Sequence, residues 1–305
     1  MTSNNFDNNY IDYMNSRPLD VHTWSDYSEV NDFVDDIYLL LKSIKGHKKG
    51  NKRLLKVLLL DLYVAWTADP DLKIMFSRDN NAYKAKSKDN EPHISKKIRD
   101  IVDVMVEEGI VYEKQGFNDR VSGIGFQSRL WATDGLIEQF KAAKFSQFHI
   151  HSHEAREPVV LRDKAKKDIE DYKDTSFVIS ARSLLNDYNQ LLANTHIDIY
   201  DLEKPVLEIG EGKKKMRLQI NQQDKFVRRI FNNSRWDQGG RFYGGWWQRC
   251  PKDYRKKIKM DGIMTAEIDF SGLHIVMLYS QQGINYWAEL NEDPYQLHGI
   301  NDIQP

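Results

Sequence analysis

Apolar residues are sparse and only weakly periodic before residue 37, and residues 1–36 are rich in Asn, Asp and Ser. That composition predicts a flexible acidic tail. Such a tail can cover a basic groove, although a solvated tail is the simpler expectation. From Ile37 the spacing turns helical, with Ile37, Leu40, Leu41 and Ile44 on one face,. Gly46-His47-Lys48-Lys49-Gly50 is a polar break. Leu54 to Trp66 is strongly apolar, and its 13 residues predict a buried core helix too short to span a membrane,. Asp69-Pro70 ends it, and Ile74-Met75-Phe76 reads as a short strand,.

Ser95 can cap a helix whose apolar positions are Ile98, Ile101, Val102, Met105 and Val106, with Gly109 at its carboxyl cap,. Ile110-Val111-Tyr112 then reads as a strand, Gln115 to Gly123 as a polar loop and Ile124 to Trp131 as a second strand. Helix, strand, wing and strand is the order of a winged helix, and this stretch resembles that class. The resemblance implies DNA contacts from Lys96, Lys97 and Arg99 on the second helix and from Arg120 in the wing. A purely structural or protein-binding module is the alternative.

Further on, His149, His151 and His153 alternate on one face of an extended segment. The spacing can bind a metal, but a solvated or partner-contacting strand fits it as well. Lys164 to Tyr172 and Ser180 to Asn194 read as helices, the second buried through Val178, Leu184, Leu185, Tyr188, Leu191 and Leu192. Gly210-Glu211-Gly212-Lys213-Lys214-Lys215 lacks the spacing of a phosphate-binding loop and reads as a basic hairpin turn before a strand at Met216 to Asn221,. Gln222 to Phe231 is predicted helical.

Charge changes this picture more than composition does. The net charge is −1, yet residues 211–259 carry fifteen Lys and Arg against four acids, a local balance of 15 − 4 = +11,. Residues 1–36 carry eight acids and one base. Cys250 is the single cysteine, which excludes an internal disulfide and suits a reducing compartment,. The amino terminus lacks a signal-peptide pattern and no apolar run reaches membrane-span length, so a cytoplasmic protein is expected,. Arg235, Trp236, Arg241, Phe242, Tyr243, Trp246, Trp247 and Arg249 then cluster among Gly239, Gly240, Gly244 and Gly245. Arginines for phosphates beside aromatic rings for bases predict a groove for a nucleic-acid strand. Thr265 to Phe270 reads as a strand ending in a carboxylate, Asp269, followed by a turn and an apolar helix.

Asp269-Phe270-Ser271-Gly272-Leu273-His274-Ile275-Val276 resembles the first palm motif of family A, Klenow-type DNA polymerases, written there Asp-Tyr-Ser-Gln-Ile-Glu-Leu-Arg. The Asp-Phe-x-x-Leu of family B also fits. Gly239-Gly240-Arg241 stands where family A has Thr-Gly-Arg, with a shorter gap from its Arg to the next Gln. Trp247-Gln248-Arg249-Cys250-Pro251 matches Leu-Gln-Asn-Ile-Pro at Gln and Pro, and Glu292-Asp293-Pro294-Tyr295 resembles a downstream acidic segment. The resemblance covers Phe231 to Leu297 and implies template-directed nucleotidyl transfer. Asp269 and the Phe270 carbonyl would hold two Mg²⁺ ions, and Phe270 with His274 would select the sugar. Arg241 and Gln248 would contact primer-template, with Arg235 and Arg249 beside them. The implied partners are DNA primer-template, deoxynucleoside triphosphates and other replication proteins, with no membrane.

Only 36 residues lie beyond Asp269, and they hold neither a second palm carboxylate hairpin nor a fingers helix. The expectation is therefore the amino-terminal portion of a longer replication protein of phage or plasmid type, inactive alone. The expected fold is α+β and multi-domain. It would have an acidic tail at 1–36, a winged-helix-like domain at 37–142, a helical, thumb-like connector at 143–230 and an incomplete palm at 231–305. A single-subunit RNA polymerase relative, suggested by Ser271-Gly272-Leu273-His274, and a non-catalytic DNA-binding replication initiator are the alternatives.

Overall fold

A computed structural model describes Tyr13 and residues 15–83, 94–119, 124–163, 165, 171–210, 216–268, 270–290, 292, 293 and 295. The protein is a mixed α+β chain that forms two units, Met1–Ile263 and Met264–Pro305.

The first core is built on α2 (Lys48–Ala68), which begins inside the predicted polar break and buries residues on every side from Leu54 to Ala65. Helix α1 (Ser28–Leu40) packs Val30, Phe33, Val34 and Ile37 into the same cluster. This corrects the expected tail, at least from residue 15 onward. Strand β1 (Ser16–Pro18) pairs parallel with β3 (Lys73–Phe76), and β2 (Thr23–Trp24) pairs antiparallel with β8 (His151–Ser152). The fastening is ionic. Asp61, fully buried in mid-α2, accepts from both terminal nitrogens of Arg17 (2.7 and 3.1 Å), from the Thr23 hydroxyl (3.0 Å) and from the Asp20 amide (3.2 Å). A buried carboxylate survives only with this many donors, and the segment that supplies them cannot be a solvated tail.

Around α2 lie α3 (Ile98–Glu107) and a sheet in the order β1-β3-β7-β4, with β4 at Val111–Lys114 and β7 at Ser128–Ala132. Between β4 and β7, β5 (Phe117–Asp119) pairs antiparallel with β6 (Ile124–Phe126), so the predicted polar loop is the start of a two-stranded arm. The Tyr13 ring packs 5.4 Å from Phe117 and 5.1 Å from Phe126, while its hydroxyl donates to the Gln115 carbonyl (2.6 Å). Helix α4 (Asp134–Ala142), capped by Thr133, closes this core through Leu136 and Phe140.

Strand β9 (Val159–Leu161) leads to α5 (Ser176–Asn194), and β10 (Ile197–Asp198) comes next. The predicted helix at Lys164 to Tyr172 lies largely outside the described residues. Helix α5 buries Val178, Ala181, Leu185, Asn189 and Leu192, whereas Leu184, Tyr188 and Leu191 are exposed, contrary to the sequence reading. Strands β11 (Val206–Ile209) and β12 (Met216–Gln219) form the predicted hairpin, its lysines lying outside the described residues. The helix expected at Gln222 to Phe231 is instead β13 (Val227–Phe231), held between β9 and β14 (Gly239–Gly244). Two smaller cores serve this region, one around Val159, Leu161, Leu185 and Phe231, the other around Leu192, Leu207, Leu218 and Trp246. Helix α6 (Lys252–Arg255), β15 (Lys259–Met260) and β16 (Ile263–Met264) complete the run. The change of unit thus falls at Ile263/Met264, and residues 231–263, expected to open a palm, belong with the chain before them.

In the second unit the strand expected over Thr265 to Phe270 is absent from residues 265–268, which have no regular structure. Ile268 is 82 % exposed, so its alternating pattern has no neighbouring strand to pack on. Gly272, in the left-handed region at φ 61°, turns the chain into α7 (Leu273–Gln281), none of whose residues is buried. Asn285 caps α8 (Tyr286–Glu289), where Tyr286 packs edge-on against Tyr279 at 5.0 Å.

Candidate nucleic-acid interface

The sheet β14-β13-β9 leaves β14 at its edge. Pairing sets Arg228 opposite Tyr243, Arg229 opposite Phe242 and Ile230 opposite Arg241. Arg241, Phe242 and Tyr243 are consecutive and all exposed. The Arg241 side chain makes no ion pair or hydrogen bond among the described residues. Arg229 is held: its Nε donates to the Gly240 carbonyl (2.9 Å) and its guanidinium lies 5.0 Å from the Phe231 ring and 5.7 Å from Phe242. Tyr188 of α5 stands 6.2 Å from Phe242, extending the row of open rings. Alternation along β14 puts Arg241 and Tyr243 on one face and Phe242 on the other, so the Arg241 guanidinium and the exposed Tyr243 ring can meet phosphate and stack a base in one footprint,.

Comparison with protein-family models, curated proteins and solved structures finds no match.

The support beneath the surface was not legible in the sequence. Asn189, buried on α5, donates from Nδ2 to the Val227 carbonyl (2.8 Å) and accepts from the Val227 amide at Oδ1 (2.7 Å). It fills the place of a strand neighbour ahead of the start of β9, because the β9 pairing begins only at Arg229,. Lys225 fixes the carboxyl end of α5, donating to the Ala193 and Thr195 carbonyls (3.1 and 2.6 Å). At the end of β14, a side chain on Gly244 would collide with the Phe226 carbonyl, so only glycine allows this close approach,.

Most of the other predicted contacts are engaged within the fold. Gln248 accepts from the Gly244 amide at Oε1 (3.1 Å) and its Nε2 lies 3.4 Å from the Phe242 carbonyl, so its amide clamps the end of β14 instead of reaching outward. Arg249 is paired with Asp224, and Arg235 with Asp237. Trp246 is fully buried, and Trp236 packs against Phe231 and Tyr172, so both serve the core. Part of the positive balance of this region is consumed internally, and among its described residues the Arg241 side chain is left open.

Lys96 and Lys97 precede α3 instead of lying on its face, and Lys97 pairs with Asp100 (2.8 Å). The exposed positions of α3 include Asp100, Asp103 and Glu107. Asp103 and Glu113 together hold Arg78. Arg99 donates from Nη1 to the Arg78 carbonyl (3.0 Å). Arg120 lies outside the described residues.

Asp269 also lies outside the described residues. Phe270 and His274 are both exposed, Phe270 before the Gly272 turn and His274 in the first turn of α7. No group of three His, Cys, Asp or Glu that could hold a metal occurs among the described residues, so the donor set for the two implied Mg²⁺ ions is not assembled by them,. The three histidines are engaged separately. His149 Nδ1 accepts from the Ser146 amide (3.0 Å), His151 lies 3.7 Å from Asp26, and His153 Nδ1 accepts from the Ala155 amide (3.1 Å). No helix among the described residues is long and apolar enough to cross a membrane.

Proposed function

We propose that the protein binds a nucleic-acid strand along β13–β14, in the service of DNA replication. The open Arg241 beside the exposed Tyr243 ring carries the reading, because an arginine whose side chain has no partner among the described residues, next to a stacking surface, suits a phosphate with its adjoining base,. The order of α3, β4, the β5–β6 arm and β7 supports a winged-helix-like module upstream. The acids on α3 favour a protein contact at that face over a phosphate contact. Anisotropy titration of labelled single-stranded and primer-template DNA across a salt series tests the interface. Arg241→Ala should weaken binding and reduce the salt slope by about 0.7 to 0.9. Unchanged affinity and slope would remove the strand from this surface.

A catalytic reading draws on one further feature, the turn at Gly272 that passes straight into α7 shortly after Asp269 in sequence, the turn-then-helix order of the first palm motif. On that reading the chain is the start of a family A-like DNA polymerase. The described residues supply no two-metal donor set, and no metal-dependent step is derived from them. Primer extension with deoxy- and ribonucleotides separates DNA polymerase, RNA polymerase and non-catalytic initiator. Asp269→Asn should abolish any extension and leave DNA affinity intact; retained extension overturns the catalytic reading.

A further inference from the structure

Away from β13–β14, a cavity of about 460 Å³ opens beside the first turns of α2. That volume lies within the range of small-molecule sites. Its wall includes Lys56, whose residue surface is only 6 % exposed. A buried lysine normally sits against a carboxylate, because an uncompensated ammonium away from water is costly. Lys56 has no such partner among the described residues. Its Nζ donates to Asn31 Oδ1 (2.9 Å) and rests 4.3 Å from the centre of the Trp24 ring. Both nearby acids are engaged elsewhere, Asp35 by Lys52 and Asp26 by the Trp24 indole (2.9 Å). An ammonium has three N–H groups, so one amide oxygen and one ring face leave it short of acceptors and of negative charge.

The rest of the cavity wall deepens the deficit. Lys49 and Arg53 line it, as do His47 and the paired Lys52 and Asp35, and Lys49 has no ion pair among the described residues. Burial pulls Lys56 below the ordinary lysine value and Asp26 opposes this, so an anion in the cavity would favour the ammonium form further,. Four cations line the cavity against one acid, Asp35, so a balance of 4 − 1 = +3 converges on one small space, which exceeds the need of a carboxylate and matches a dianion with three acceptor oxygens,.

We propose that this cavity binds a phosphate monoester, with Lys56 as the buried counter-charge and Lys49 and Arg53 as the outer clamp. The same chemistry is offered by a free nucleoside monophosphate and by the 5′-phosphate end of a strand. The site is independent of β13–β14, so Arg241→Ala leaves it unchanged. Calorimetric titration of the full chain with inorganic phosphate, deoxyadenosine monophosphate, and a short oligonucleotide with a 5′-phosphate or a 5′-hydroxyl tests it. Saturable binding of phosphate and the nucleotide is expected. Lys56→Met should weaken it tenfold or more. Lys49→Glu, at an exposed position that folding does not depend on, should weaken it by about tenfold, and Lys141→Ala on α4 should not change it. Preference for the phosphorylated oligonucleotide assigns the strand end; equal, weak binding of both oligonucleotides beside tight nucleotide binding assigns the free nucleotide. Absence of saturable binding by all four probes, or full binding by Lys49→Glu, overturns the proposal.

Discussion

Replacing Asn189 by alanine strips β13 of both hydrogen bonds at its first residue. The Val227 amide and carbonyl are satisfied by the Asn189 side chain at 2.7 and 2.8 Å, and the site is only 9 % exposed. Each buried backbone group left without a partner costs about 1–3 kcal/mol, and partial water entry beside the shortened side chain recovers some of it, so about 2–4 kcal/mol is expected. Asn189→Asp separates hydrogen bonding from size. It keeps an acceptor for the Val227 amide but sets a carboxylate oxygen against the Val227 carbonyl, and should cost at least as much as alanine at neutral pH. Urea unfolding followed through the indoles packed near β13 reads the midpoint, with the slope unchanged if the folded and unfolded ensembles are otherwise alike. Amide exchange at Val227 should rise before that of α2. A loss below about 0.5 kcal/mol for alanine, or a wild-type midpoint for aspartate, refutes the role given to Asn189 as a surrogate strand neighbour.

Other contacts in the same unit lead to three more expected outcomes. Burial works against ionisation of Asp20, but Arg156, His22 and the His22 amide outweigh it and hold the carboxyl at about 2. A carboxyl depressed in the folded state stabilises above its unfolded value near 3.9 and loses that contribution as pH falls from about 4 to about 2. With 32 % of the side chain open to water, screening leaves on the order of 1 kcal/mol,. Asp20→Asn should flatten the stability profile in that window, and an identical profile would count against the contact. Lys225→Met should cost about 2 kcal/mol in urea unfolding by freeing the last carbonyls of α5, with no loss meaning that water replaces the ammonium. Gln248→Glu keeps the acceptor for the Gly244 amide and should leave thermal stability near wild type, whereas Gln248→Ala lowers it by about 1 kcal/mol; if alanine lowers DNA affinity with no stability change, Gln248 reaches the strand after all.

The parts of the fold that sequence reveals are those in which one local pattern suffices. Helix α2 is unmistakable because its apolar run exceeds what any surface element would carry. Gly109, at φ 68°, marks the end of α3 as its position suggests. Helix α1 was hidden in plain view, since Val30, Phe33, Val34 and Ile37 have helical spacing but are diluted by acids. Strand β13 misleads for a different reason. Val227, Ile230 and Phe231 satisfy a helical period as well as a strand period, and the choice is made by Asn189 and β9, which are remote in sequence. The interface was legible as a basic, aromatic stretch, yet its sorting was not. Whether an arginine is open, like Arg241, or spent, like Arg249 on Asp224, depends on which acid the fold brings alongside it. On α5 the apolar residues outnumber the positions of one buried face, so spacing alone does not say that Leu185 goes in and Leu184 stays out.

The parallel pairing of β9 with β13 also governs the order in which the protein can be made. Strand β9 and α5 leave the ribosome well before β13, with β10 and the β11–β12 hairpin still to be synthesised between them. The core around α2 is complete in sequence by Ile150 and can close on its own local contacts. Until β13 arrives, Val159 and Leu161 have neither a strand neighbour nor Phe231 to pack on. Closing that long loop is the slow step that topology imposes, and the waiting β9 edge is the segment a nascent chain must shield from pairing with others.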